Sequence, residues 1–115
     1  MSVATTTAMQ PLIKRNMFNS EDQAIQELVR NYILHQISDL QRNIHRFEKK
    51  YGMRFNRFVD YLHVRSALLE SGQLPAQQRQ ILGQVIMREE EDWMEWKATQ
   101  EMLDRWLDVR QEVGA

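Results

Sequence analysis

Apolar residues recur at Ile25, Leu28, Tyr32, Ile33, Ile37, Leu40, Ile44, Phe47 and Tyr51, mostly at steps of three and four. A strand facing a core repeats every second residue; only a helix gathers residues three and four apart onto one side. The stripe predicts a single helix of roughly 45 Å at 1.5 Å rise per residue. Its heptad-like spacing is that of helices that pack along their whole length. The ends are marked as well. Ser20 and Gln23 have the spacing of a capping box, the acids Glu21 and Asp22 suit a first turn, and Gly52 stands just past the last periodic residue.

A second, shorter helix is expected over about Arg54 to Ser71, with Phe55, Phe58, Val59, Leu62, Ala67 and Leu69 as its apolar positions and Gly72 as its stop. The link Gly52-Met53 is so short that the chain must turn back or aside at once, as an αα-hairpin or an elbow. Gln73-Leu74-Pro75 makes the next turn, with Pro75 suited to a helix start. A third helix follows from about Ala76 to Glu112. Gly83 lies inside it and costs about 1 kcal/mol against alanine, which points to close helix packing or a kink.

Only four glycines and two prolines occur in 115 residues, too few for the many turns of an all-β chain. The fold class is therefore all-α: two long antiparallel helices with a shorter connecting helix, a coiled-coil-like hairpin whose wide stripes suit a dimer. Residues 1–19 show no helical period, and Pro11 disfavours helix at Gln10. They are expected to form a flexible N-terminal tail, with Leu12, Ile13, Met17 and Phe18 as anchors if it meets a partner, ahead of one helical domain over 20–115.

The absence of cysteine removes disulfides, thiolate metal ligands and cysteine nucleophiles together. No apolar run approaches the roughly 18–20 residues of a membrane span, and Met1–Gln10 lacks the pattern of a secretory signal. A cytoplasmic protein without membrane contact is the expectation.

The densest chemistry lies in Arg88–Trp106. All three tryptophans (Trp93, Trp96 and Trp106) follow the acidic run Glu89-Glu90-Glu91-Asp92. Four consecutive acids splay around a helix, so they do not converge as a catalytic pair would. Acids beside aromatics suit the docking of a basic protein instead. Glu89, Glu90, Asp92, Trp93, Glu95 and Trp96 are the candidate partner-binding residues.

Charge is uneven. Residues from Lys14 to Arg65 hold ten Lys and Arg against six Asp and Glu, whereas those from Ser66 onward hold five against ten. Arg42, Arg46, Lys49, Lys50, Arg54 and Arg57 cluster around the first bend as a candidate basic surface. No nucleic-acid-binding motif accompanies them, and pairing with the acidic half is the favoured reading. His35, His45 and His63 lack the repeated Glu-x-x-His of a di-iron bundle; Asp60-x-x-His63 approaches it once. No metal or cofactor is expected, and no nucleophile–base arrangement marks an enzyme.

Two pieces stand out together: Phe47-Glu48-Lys49-Lys50-Tyr51-Gly52-Met53-x-Phe55-x-x-Phe58, and Asp92-Trp93-Met94-Glu95-Trp96-Lys97-Ala98. A helix ending in F-E-x-x-Y-G-M, then a later acidic D-W-x-E-W segment, resembles small all-helical prokaryotic antitoxin-like proteins encoded beside compact toxin genes. The resemblance implies inhibition by binding, with the acidic, Trp-bearing face covering a small basic toxin. It leaves a helical assembly adaptor as the alternative, and nucleic-acid binding through residues 42–57 as the less favoured one.

Overall fold

A computed structural model describes residues 3–114, with side chains from Thr6 onward. Four helices make up the fold: α1 (Val3–Lys14), α2 (Glu21–Tyr51), α3 (Phe55–Glu70) and α4 (Ala76–Val113), with no strand among the described residues. The long–short–long order of α2, α3 and α4 and their antiparallel pairing are those expected.

The N-terminal segment departs from expectation. Val3–Lys14 is helical, with Pro11 inside it. An interior proline removes one ladder donor and crowds the preceding turn, yet two local features hold this helix. Thr6, Met9, Leu12 and Ile13 are half-buried at helical spacing. The end is also closed by a Schellman arrangement. Asn16 takes the left-handed φ of 58°, Met17 N–H donates to the Leu12 carbonyl at 3.0 Å, and Asn16 N–H donates to that of Ile13 at 3.0 Å. The apolar period of this helix is short, and Pro11 is the stronger local signal in the sequence.

At the start of α2 the Gln23 N–H donates to Ser20 Oγ at 3.1 Å, and Gln23 Oε1 accepts from Asn19 N–H at 2.9 Å. The capping box thus closes one residue earlier than its usual form. The other end stops at Gly52, whose φ of +66° a side chain would strain.

The chain forms two compact units. One takes the described residues up to Ser38 and those from Trp106 onward. Its buried residues are Ala24, Ile33 and Ile37, Tyr32 meets Trp106 edge-on at 5.7 Å, and Thr6 Oγ1 donates to Glu21 Oε1 at 3.1 Å.

The second unit, Asp39–Arg105, holds the main core: Phe47, Phe58, Leu62 and Trp96, with Ile44, Tyr51, Met53, Phe55, Tyr61 and Trp93 packed around them. Contacts from α2 to α4 run Asn43 to Thr99, Arg46 to Glu95 and Lys50 to Asp92. Those from α3 run Phe58 to Trp96 and Arg65 to Glu89. Both sets ascend one helix while descending the other. Within this unit α2 and α3 are therefore each antiparallel to α4 and occupy successive stretches of it, overlapping where Tyr51 meets Phe58 at 4.3 Å. The Gly52-Met53 link is an elbow, not a hairpin.

Candidate functional site

One face of the acidic, Trp-bearing segment, with Glu89, Asp92, Trp93 and Trp96, lies at the centre of the second unit, while Glu90, Glu91 and Glu95 are exposed. Trp96 is fully buried. Phe47 stacks on it at 5.4 Å and 13° between planes, Tyr51 lies near-parallel at 6.2 Å, and Phe55 and Phe58 tilt against it at 5.5 and 5.3 Å. Its indole N–H has no hydrogen-bond partner. One donor is thereby forfeited for the packing of four rings, against the usual pairing of buried polar groups.

Two of the acids beside it, Glu89 and Asp92, are committed inward. Glu89 is 6% exposed and accepts from Arg65, whose guanidinium also donates to the Tyr61 hydroxyl and lies 4.7 Å from that ring's centroid. Asp92 accepts from Lys50 Nζ at 2.6 Å and from the Tyr51 hydroxyl. Burial alone would raise the Asp92 pKa, but the hydrogen bonds of Lys50 and Tyr51 and the charges of Lys50 and Arg46 outweigh it and hold the carboxyl below its ordinary range. The Tyr51 hydroxyl moves upward, first through burial and then through its bond to Asp92. Tyr61 also moves upward, through burial and the Glu89 charge, against the opposing pull of Arg65. Glu95 pairs with Arg46 at 3.3 Å on the surface, where such a bridge contributes little.

Of the six expected partner-binding residues, five are thus engaged with α2 and α3, Trp93 by packing against the core. Glu90 alone is exposed without a pair among the described residues, and it shares a groove of about 150 Å³ with Val59, Leu62, His63, Ser66 and the half-buried Trp93. Lys97 Nζ lies 5.2 Å from the Trp93 ring centroid. The helix period brings Trp93, Trp96, Glu89 and Asp92 to the packed side of α4, and a residue cannot serve a core and a flat docking face together.

The basic bend divides similarly. Arg46 and Lys50 pair with α4, and Arg42 pairs with Asp39 at 3.2 Å. Lys49, Arg54 and Arg57 stay exposed, Lys49 on the same face of α2 as Arg42 and Arg46. Part of the charge asymmetry is therefore internal complementarity. His45 Nδ1 lies 3.0 Å from Glu48, and among the described residues no three His, Asp or Glu gather as metal ligands. No helix there is long and apolar enough to cross a membrane.

A different surface emerges where α2 stops. Arg57, Tyr61, Val64 and Leu68 form a stripe on α3, and Ile81, Val85, Arg88 and Asp92 form one on α4, both at steps of four, three and four. The end of α2 seats against Asp92 and, through Phe58, beside Tyr61. Beyond it both stripes continue uncovered: Val64 is 70% exposed, Ile81 56%, Leu68 43% and Val85 37%. Arg57 and Arg88, one on each stripe, are exposed and without ion pairs among the described residues. The signal was in the sequence, as two apolar stripes with no third stripe opposite them once Gly52 ends α2.

No family model matches the chain, and neither a curated protein nor a solved structure matches it.

Proposed function

We propose that the protein is a non-enzymatic interaction module that receives an amphipathic helix of a partner protein in the lane between α3 and α4. The single observation that carries this reading is the run of exposed Val64, Leu68, Ile81 and Val85 in line with the seat that α2 itself occupies as far as Tyr51. An incoming helix would extend packing that α2 has already begun, in the helix-in-groove mode, with anchors at i, i+3, i+4 and i+7. Arg57 and Arg88 at the rim favour acidic residues flanking those anchors.

Both an assembly adaptor and an antitoxin-like inhibitor fall within this class. The geometry favours the adaptor. Two of the acids that were to meet a basic toxin, Glu89 and Asp92, already have cationic or phenolic partners inside the fold, Glu95 is paired with Arg46 at the surface, and the open lane carries the opposite charge. Nucleic-acid binding is disfavoured for a related reason: Arg46 and Lys50 are engaged by α4, which leaves too few convergent cations for a phosphate track.

The test is selection from a displayed library of amphipathic helical peptides, repeated with a Leu68→Glu, Val85→Glu double variant. The reading expects peptides with an apolar face and acidic flanks, and loss of their binding in the double variant. Enrichment of peptides that bind both proteins equally would refute it.

A further inference from the structure

A third face of α4 is neither in the core nor part of the lane. Met87, Glu91, Met94, Ala98, Met102 and Arg105 follow one another at steps of three and four, and all are exposed. The methionines are large apolar groups left in the open, at 65%, 64% and 42% exposure for Met87, Met94 and Met102. Every one of these residues belongs to the second unit. Around the helix they lie at least about 80° from both Trp96 and Ile86, the two buried apolar residues of α4.

The order along this face is symmetric about its smallest member. Four positions either side of Ala98 stand Met94 and Met102; seven positions either side stand Glu91 and Arg105. Neither Glu91 nor Arg105 has an ion-pair partner among the described residues, although most other charges facing α2 or α3 in this unit are paired.

We propose that this face is a self-association surface, on which a second copy of the chain lays its own α4 antiparallel across a two-fold axis at Ala98. Ala98 then meets Ala98 of the partner subunit, where a small side chain allows close approach of the two helices. Met94 meets Met102 of the partner subunit, and Glu91 meets Arg105 of the partner subunit, each contact occurring twice as an isologous interface requires. Antiparallel order is selected by charge. A parallel pair in register would set Glu91 against Glu91 and Arg105 against Arg105, and like charges facing across a helix pair are destabilising. Methionine suits such a contact because its flexible thioether adapts to a facing copy of itself. The dimer leaves the α3–α4 lane open, so this inference stands apart from the partner-helix reading.

The experiment is analytical ultracentrifugation of the full chain at micromolar concentration, with circular dichroism to confirm that each variant stays helical. Wild type is expected as a dimer. Glu91→Arg alone should dissociate it by placing arginine against arginine, and adding Arg105→Glu should restore it by exchanging the charges across the axis. Because the chain has no cysteine, Ala98→Cys supplies one thiol per chain, which should close a disulfide between the two copies under mild oxidation. The Leu68→Glu, Val85→Glu variant should remain dimeric. A monomeric wild type, a dimer indifferent to Glu91→Arg, or a charge exchange that fails to rescue would each overturn the proposal.

Discussion

Phe47 of α2 lies face to face with Trp96 of α4, ring centroids 5.4 Å apart and planes 13° from parallel. Around that pair the second unit places its largest fully buried side chains, Trp96 and Phe58, and on α4 Glu89 and Asp92 turn inward as well. The acidic helix that looks like a landing surface in the sequence is the spine of the core.

Trp96 carries the corresponding vulnerability. Trp96→Ala should cost about 3–5 kcal/mol, the usual range for removing a buried large aromatic, and should lower the urea midpoint accordingly. Trp96→Phe should cost much less, since it keeps stacking against Phe47 and Phe58 and removes the indole N–H that has no acceptor. Equal losses for the two substitutions would mean that ring packing is not what Trp96 supplies.

The Arg65–Glu89 pair, with side chains only 20% and 8% exposed, should behave as a buried ion pair. Glu89→Leu alone strands a guanidinium beside the core and should cost about 3–5 kcal/mol; Arg65→Met alone should do the same to the carboxylate. The double variant Arg65→Met, Glu89→Leu should recover most of that loss, because an apolar pair of similar volume carries no desolvation penalty. Additive losses in the cycle would contradict this.

Acid and alkali should each weaken the fold through a named group. Asp92 has a folded pKa below its ordinary 3.8, so its contribution is complete above that value and is lost as pH falls through the folded pKa. Tyr51 has a folded pKa above its ordinary 10.0; its contribution is complete below that value and is lost as pH rises through the folded pKa. Urea midpoints measured across pH should therefore fall at both extremes. Asp92→Asn should flatten the acid limb, and Tyr51→Phe the alkaline one.

Gly83 was expected to mark close packing or a kink; it lies inside the continuous helix α4, and close packing does not require it. A Cβ placed there meets only a Leu69 methyl at 3.9 Å, an ordinary contact. Gly83→Ala should add about 1 kcal/mol of helix stability and raise the thermal midpoint by a few degrees.

The helices were legible because their signals are local and repeated: the stripe from Ile25 to Tyr51, the Ser20–Gln23 cap, and the stops at Gly52 and Gly72. The use of the faces was not. Glu89 and Glu90 are neighbours with identical side chains, and only the 100° turn between them sends one to Arg65 and the other to solvent. Which turn wins depends on where α3 lies against α4, a relation that no short window of sequence contains. The N-terminal helix was obscured in the opposite way, since Pro11 is a loud local signal and the Schellman closure at Asn16 a quiet one.

Whether the face of α4 that carries Glu89, Asp92 and Trp96 is core and not docking surface is measured most directly with Trp96 as its own probe. In a Trp93→Phe, Trp106→Phe variant, Trp96 is the sole tryptophan, and its emission and acrylamide quenching report its surroundings. A buried Trp96 should give blue-shifted emission that acrylamide scarcely quenches, unchanged on adding a helical peptide selected for the α3–α4 lane. Red-shifted, readily quenched emission in the folded protein would place Trp96 on the surface and contradict it.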